Sequence, residues 1–137
     1  MGTQKLNLFI VDDNRLTATT LELYLKNRFG DGLHISAFYD GESCLKKIDK
    51  ATDVVILDYF MKDSNGLEVL KSIKTLNPKT EVIMLSNNED IAIAIELFRA
   101  GAKDYVIKGF GSWKKIGNVI NNFVTKPIRV IIKGFFR

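Results

Sequence analysis

The sequence has one cysteine, two prolines and one histidine among its 137 residues. A single cysteine excludes an internal disulfide framework and fits a reducing compartment. No apolar run approaches the roughly 18 residues of a membrane-spanning helix, and the N-terminal residues lack the basic lead and long apolar stretch of a signal peptide. These absences predict a cytoplasmic protein without a membrane partner, and the length fits one globular domain.

Acidic side chains are missing from the C-terminal end of the chain. Residues 109–137 carry six basic side chains and no acidic one, whereas residues 1–108 carry 14 basic and 16 acidic side chains. The net charge of +4 therefore describes a basic end on a near-neutral body. A surface for nucleic acid or another acidic partner is one interpretation. A solvated helix face followed by a linker is simpler, so no nucleic-acid ligand is expected.

Short apolar runs typical of strands alternate with segments of helical periodicity. Strands are predicted at 5–11, 33–38, 53–57, 81–86 and 104–107, and helices at 15–29, 41–50, 66–78, 88–102 and 112–123. Five strands that are each followed by a helix predict a parallel sheet covered on both faces, because right-handed crossovers place helices there. The continuous apolar run that precedes Asp58 agrees with a strand buried on both sides.

Charged and hydroxyl side chains follow four of the five predicted strands: Asp12 and Asp13, Asp58, Ser86, and Lys108. Because ligands bind beyond the carboxyl ends of parallel strands, we expect these side chains to lie at one edge of the sheet. Three carboxylates in one place raise one another's pKa values unless cations join them. Mg²⁺ prefers oxygen ligands of this kind, and the lysine adds a second positive charge. A carboxylate, a metal, a hydroxyl group and a lysine are the parts of a site that transfers a phosphoryl group to an aspartate.

Each of these residues has a simpler interpretation when it is taken alone. Asp12 or Asp13 could cap the first helix. Ser86 could be an ordinary turn residue and Lys108 a solvated strand end, while Tyr105 is of a type that usually lies in the core. These residues lie at or near the ends of several strands, and this favours a shared site. Residues placed there for unrelated reasons would be spread over the whole fold.

Other phosphate-binding α/β proteins are disfavoured by the segment that comes after the first strand. This segment, VDDNRLTA, has no glycine that would let the backbone approach a phosphate, and a Walker lysine is missing as well. Aspartyl-phosphate enzymes of the haloacid dehalogenase type need a DxD acceptor at this point, whereas the two acids here are adjacent. A nucleotide, flavin or dehalogenase site is therefore not expected.

Over about residues 4–124 the chain resembles a response-regulator receiver domain of two-component signalling. The segments that carry the resemblance are FIVDDN, VVILDYFMKDSNGLEVL, VIMLSNN and AGAKDYVIKGF, in this order. The resemblance implies a doubly wound α/β fold with the flavodoxin-like strand order 2-1-3-4-5. It also implies a receiver domain at 1–124, with 125–137 as a basic and apolar tail or the start of a linker. For residues 125–137 the sequence also allows two other interpretations, an extra strand and a contact with a partner.

The resemblance implies a role for each residue of the site. Asp58 would accept a phosphoryl group from a sensor histidine kinase, a phosphotransfer protein or a small phosphodonor. Asp12, Asp13 and Asp58, with the backbone carbonyl of Phe60, would hold Mg²⁺, or Mn²⁺ in its place. Lys108 would pair with the acyl phosphate. Beyond its own phosphorylation and dephosphorylation, no enzymatic activity is expected.

The resemblance further implies a two-state switch. Ser86 would hydrogen-bond a phosphoryl oxygen, Tyr105 would turn inward behind it, and Phe60 and Asn88 would tune phosphate hydrolysis. An effector or a second copy of the chain would then bind to the face formed by the fourth helix, the fifth strand and the fifth helix. The alternative is a receiver-like interaction or dimerisation module that is never phosphorylated.

Four positions depart from the pattern of the family, one of which is Asn87, larger than the residue often found after the serine. Gly109 follows Lys108 where the family usually has a proline, often in the cis form. Because a cis bond before glycine would cost roughly 2.5–4 kcal/mol, we predict a trans bond and an altered loop. Lys62 likewise stands at a common proline position. The aromatic ring of Phe60 replaces a side chain that is polar in many members, and it predicts slow loss of the phosphoryl group by crowding the path of water.

Overall fold

A computed structural model describes the backbone of residues 5–135 and the side chains of residues 5–124. The strands are β1 (Leu6–Val11), β2 (Leu33–Phe38), β3 (Val54–Asp58), β4 (Glu81–Ser86) and β5 (Asp104–Ile107). The helices are α1 (Arg15–Phe29), α2 (Gly41–Lys47), α3 (Gly66–Leu76), α4 (Ile91–Arg99) and α5 (Ser112–Phe135), and a 3₁₀ turn spans Gly30–Gly32. Strands and helices therefore alternate along the chain as the sequence predicts.

The five strands form one parallel sheet in the order β2-β1-β3-β4-β5. This confirms the predicted doubly wound α/β fold. All five residues of the central strand β3 are buried, and the register pairs Asp58 with Leu85 on β4. The strand thus carries its terminal carboxylate to the same edge of the sheet at which β4 ends.

Two apolar clusters cover the two faces of the sheet. On one face, Ile56 of β3 packs in a cluster with Leu21 of α1 and Ile120 of α5. On the other face, Leu57 packs in a cluster with Leu70 of α3 and residues of α2 and α4. Successive side chains of a strand point to opposite faces, so a continuous apolar run fills both clusters. The site-bearing strands are therefore anchored on both sides.

Helix α1 is capped by Asn14. Its side chain accepts a hydrogen bond from the backbone N–H of Thr17 at 3.1 Å. Asp12 instead accepts the N–H of Asn14 itself, at 2.8 Å, and Asp13 makes no capping contact with the first turn among those described. The interpretation of either acid as the cap of this helix is wrong, because the asparagine at the next position takes that place.

Helix α5 runs from Ser112 to Phe135, past the predicted end at residue 123. Ile116, Ile120 and Phe123 are buried in the core, as their spacing predicts, and Trp113 packs against the same cluster. The predicted division between residues 124 and 125 stays a prediction, because the side chains of residues 125–137 lie outside the described residues. The backbone as far as residue 135 is helical, so it does not form the extra strand. Within the part of the chain that the structure describes, no helix is both long and apolar enough to cross a membrane.

Candidate functional site

Three strands bring an ammonium group to two buried carboxylates at the carboxyl edge of the sheet. Lys108 Nζ lies 3.2 Å from Asp12 Oδ2 and 3.2 Å from Asp58 Oδ1. The two acids are only 2% and 4% exposed, and they follow β1 and end β3, respectively. The lysine follows β5, and its backbone N–H donates to the carbonyl of Ser86 at 2.8 Å. Strand pairing therefore sets the position of each charge.

Asp13 completes a cluster of three acids. One carboxylate oxygen from each of Asp12, Asp13 and Asp58 lies within 4.8 Å of the other two. Asp13 is half-buried, and its Oδ2 accepts a hydrogen bond from the backbone N–H of Lys62 at 2.9 Å. This contact ties the loop after β1 to the loop after β3.

The cluster fits a hard divalent cation. The buried Oδ2 of Asp12 makes an ion pair with Lys108, but no hydrogen bond of normal geometry reaches it. A buried carboxylate oxygen without a hydrogen bond is unfavourable, and a cation bound beside it removes that penalty. Mg²⁺ and Mn²⁺ prefer carboxylate and carbonyl oxygens, which are the donors that meet here.

The electrostatics of the cluster result from having one ammonium for three carboxylates. Burial raises the pKa of Asp58 most, the charges of Asp12 and Asp13 raise it further, and Lys108 opposes them only in part, so that the pKa is about 6. Burial by itself would lower the pKa of the Lys108 ammonium, but Asp58 and Asp12 outweigh it and hold that pKa above its ordinary value. The site thus keeps an excess of negative charge near neutral pH.

Ser86 and Tyr105 meet at the loop between β4 and α4. The Ser86 side chain is fully buried, and its Oγ accepts a hydrogen bond from the backbone N–H of Asn88 at 3.0 Å. The Tyr105 hydroxyl donates a short hydrogen bond to the backbone carbonyl of the same asparagine, while its ring packs against the second core cluster. Asn88 therefore connects the end of β4 to the side chain on β5.

Phe60 lies in the loop two residues beyond Asp58 and is 62% exposed. Its ring meets the ring of Tyr59 edge-on, at 4.8 Å between centroids, and its backbone bridges to Asn65. A Cβ at Gly66 would lie 2.6 Å from the Cα of Tyr59, so the loop closes this tightly because residue 66 is glycine. This glycine belongs to the segment VVILDYFMKDSNGLEVL, but the sequence of that segment gives no sign of the close approach.

The loop after β5 confirms one prediction. The peptide bond between Lys108 and Gly109 is trans, as are the other peptide bonds among the described residues. Ser112 holds the loop, with its Oγ donating to the carbonyl of Gly109 at 2.8 Å. Of the sequence-predicted residues, the structure brings Asp12, Asp13, Asp58 and Lys108 together, while Phe60 lies exposed in the loop after β3.

Comparison with known proteins identifies similar chains. Residues 8–121 match the family described as "Response regulator receiver domain". The chemotaxis protein CheY of Listeria monocytogenes is 32% identical over 106 residues, which are 77% of this chain and 87% of that protein. The transcriptional regulatory protein ZraR of Klebsiella oxytoca is 32% identical over 109 residues, which are 79% of this chain but 24% of that protein. This chain therefore spans about a quarter of the length of ZraR.

Solved structures show the same architecture. The BeF3-activated receiver domain of DrrB, a protein of Thermotoga maritima, superposes with a TM-score of 0.78 at 28% identity, over 88% of this chain and 98% of that one. A CheY-like receiver domain protein from Methanospirillum hungatei superposes with a TM-score of 0.80 at 19% identity, over 92% of this chain and 98% of that one. The second likeness concerns the fold alone.

Proposed function

The chain belongs to the response regulator receiver domain family of two-component signalling, and from this premise we propose that Asp58 is its phosphoacceptor. The observation that carries the proposal is the position of Asp58 at the carboxyl end of the central strand, 3.2 Å from Lys108 and inside the acidic cluster. Its pKa of about 6 leaves the carboxylate mostly ionised at neutral pH, and the ionised form is the nucleophile.

The donor that we propose is the phosphohistidine of a sensor histidine kinase or of a phosphotransfer protein. An oxygen of Asp58 attacks the phosphorus, an O–P bond forms, and the P–N bond breaks with its electron pair remaining on the imidazole nitrogen. The product is an acyl phosphate on Asp58. A small phosphodonor such as acetyl phosphate reacts in the same way, with a carboxylate as the leaving group.

The positive charge that this transfer needs comes from two sources. Lys108 lies beside the acceptor oxygen and pairs with the phosphoryl group once it has arrived. Asp12, Asp13 and Asp58, with the backbone carbonyl of Phe60, would hold Mg²⁺, or Mn²⁺ in its place. A divalent ion bound there neutralises charge on the oxygens of the transferring group.

The switch that we propose acts on the loop between β4 and α4. Ser86 and Tyr105 both contact Asn88, so a new hydrogen bond from the Ser86 hydroxyl to a phosphoryl oxygen would change the contacts of the whole loop. Such a contact biases a two-state equilibrium by its differential strength in the two states. We also propose that Asn88, two residues beyond Ser86, and Phe60, two residues beyond Asp58, set the hydrolysis rate.

The output face that we propose includes α4. Its Ile91, Ile95 and Phe98 are 73%, 46% and 47% exposed, and Ile107 on the neighbouring strand β5 is 40% exposed. An apolar patch of this kind on a soluble domain marks a contact surface. An effector or a second copy of the chain would dock there, and size-exclusion chromatography with and without a phosphoryl analogue separates the two.

Intact mass spectrometry tests the function. The protein is incubated with acetyl phosphate, with and without Mg²⁺. A phosphate adduct is expected in the wild type with Mg²⁺ and in Asp63→Ala, since Asp63 is an exposed acid in the same loop. It is expected to be absent in Asp58→Ala. A wild type that forms no adduct under either condition would overturn the proposal and favour the interaction module.

A further inference from the structure

The β3–α3 loop (residues 59–65) donates a main-chain hydrogen bond into the acidic cluster. The N–H of Lys62 lies 2.9 Å from Asp13 Oδ2, and the two residues are 49 positions apart in the chain. The donor belongs to the backbone, so its position depends on the path of the loop and not on the lysine side chain, which is exposed. Proline at this position would have no N–H to donate.

The hydrogen bond from Lys62 gives the two oxygens of the Asp13 carboxylate different roles. Oδ2 accepts the hydrogen bond from the loop, so the other oxygen of this carboxylate remains available to a ligand among the three acids. A half-buried aspartate that is not held in this way loses rotational freedom when it binds a cation, and that loss weakens binding. Hydrogen bonds to ligating carboxylates are known in general to orient the ligand and to strengthen metal binding.

The β3–α3 loop also carries the backbone carbonyl of Phe60, which is a proposed ligand of the cation. Phe60 lies two residues before Lys62, and the loop is closed by the bridge from Phe60 to Asn65 and by the hydrogen bond from the N–H of Gly66 to the carbonyl of Tyr59 at 3.0 Å. These two contacts restrict the path of the backbone between residues 59 and 66. Fixing the amide of residue 62 against Asp13 therefore also fixes the carbonyl of Phe60 relative to the carboxylates.

We infer that the main-chain N–H of Lys62 is a positioning group that locks Asp13 and the Phe60 loop into a preformed divalent-cation site. The inference rests on the proposed function, because it takes a cation to bind among these acids. A residue outside the ligand set, acting through its backbone, thereby sets how well the site binds metal.

Mg²⁺ binding to the purified full chain, measured by isothermal titration calorimetry without any phosphodonor, tests the inference. Lys62→Pro removes the N–H, whereas Lys62→Ala keeps it, and both remove the same charge. Relative to Lys62→Ala, we expect Lys62→Pro to bind Mg²⁺ about tenfold more weakly, the lower end of the effect of losing such a partner. Equal affinities in the two variants would overturn the inference, whereas a wild type that binds no Mg²⁺ would overturn the proposed site itself.

A measurement on the wild type keeps the inference testable if the proline variant does not fold. Amide hydrogen exchange of Lys62, followed by NMR in metal-free buffer, reports on the hydrogen bond directly. We expect this amide to exchange more slowly in the wild type than in Asp13→Ala, and its resonance to shift with the same Mg²⁺ midpoint as the calorimetric binding. An amide that exchanges equally fast in both proteins, or that does not respond to Mg²⁺, would contradict the inference.

Discussion

Lys108 Nζ and Asp58 Oδ1 lie 3.2 Å apart at the carboxyl edge of the sheet, although they are 50 positions apart in the chain. The lysine side chain is only 19% exposed, and it is shared with Asp12 at the same distance. One ammonium therefore neutralises part of a three-acid cluster. This imbalance shapes the behaviour that we expect of the site.

Replacement of Lys108 by methionine is expected to separate metal binding from phosphorylation. The variant keeps the apolar stem and removes the cation that competes for the carboxylates, so Mg²⁺ should bind more tightly. Phosphorylation by acetyl phosphate at saturating Mg²⁺ should slow by about tenfold or more, which is about 1.4 kcal/mol in the barrier. Lys103→Met, at the opposite end of β5, is the control. If Lys108→Met is phosphorylated as fast as this control, Lys108 does not assist the transfer of the phosphoryl group.

The titration of Asp58 is expected to make stability depend on pH. Its pKa is raised from 3.8 to about 6 in the folded protein, so the folded state binds a proton that the unfolded state has released in this interval. Stability therefore falls as the pH rises from about 4 to about 6, and at neutral pH the ionised carboxylate costs up to about 3 kcal/mol.

Asp58→Asn removes the free-energy cost of keeping an ionised carboxylate at this buried position. In urea denaturation without metal, this variant is expected to be more stable than the wild type by up to about 3 kcal/mol at neutral pH and equally stable below about pH 4. Asp63→Asn, at an exposed acid of the next loop, should show no such change. A stability difference between Asp58→Asn and the wild type that does not vary with pH would contradict the prediction.

The lifetime of the phosphoryl group is expected to depend on Phe60. Phe60 lies two residues beyond the acceptor and is exposed, and we predict that its ring hinders the approach of water. Phe60→Asn should lose radiolabelled phosphate about threefold faster than the wild type, or roughly 0.7 kcal/mol in the barrier. Phe98→Asn, at an exposed ring on α4, should keep the wild-type rate, and equal rates in all three proteins would disprove the prediction.

Tyr105→Phe is expected to loosen the loop before α4. The variant keeps the packing of the ring but loses the hydrogen bond to the carbonyl of Asn88. We expect the free energy of unfolding to fall by about 1 kcal/mol and amide exchange in residues 87–90 to accelerate. Tyr39→Phe serves as control, because the described contact of Tyr39 is made by its ring, with Arg15 at 3.9 Å. Unchanged exchange in the Tyr105 variant would show that the hydroxyl does not hold the loop.

Gly66→Ala is expected to disturb the acceptor loop. The new Cβ would lie 2.6 Å from the Cα of Tyr59 and 3.1 Å from the carbonyl of Asp58, both backbone atoms. We expect a loss of about 1–3 kcal/mol in stability together with weaker Mg²⁺ binding. Gly32→Ala meets no atom within 4 Å and should leave both quantities unchanged. If both alanine variants behave alike, the close approach at residue 66 does not constrain the loop.

Local patterns predicted most of the elements. The bounds of α1 and β4 coincide with the predicted 15–29 and 81–86, because helical periodicity and a continuous apolar run are properties of the segments themselves. Helix α2 ends at Lys47 rather than at residue 50. Asp49 and Thr52 there form a turn of their own, with the N–H of Asp49 bonded to Thr52 Oγ1 at 3.1 Å, and such side-chain competition with the helix is not visible as periodicity.

The parallel sheet, its two buried faces and the kinds of side chain at each strand end could be predicted from the sequence, because they depend on residue type and spacing. That these charges gather at one edge of the sheet could also be predicted, but which atoms pair with each other is decided only by the folded chain. The shared contacts of Lys108 with Asp58 and Asp12, and the hydrogen bond from Lys62 to Asp13, join segments that lie far apart in the chain. Strand register and loop closure bring them to within hydrogen-bonding distance, and neither is encoded in any single segment.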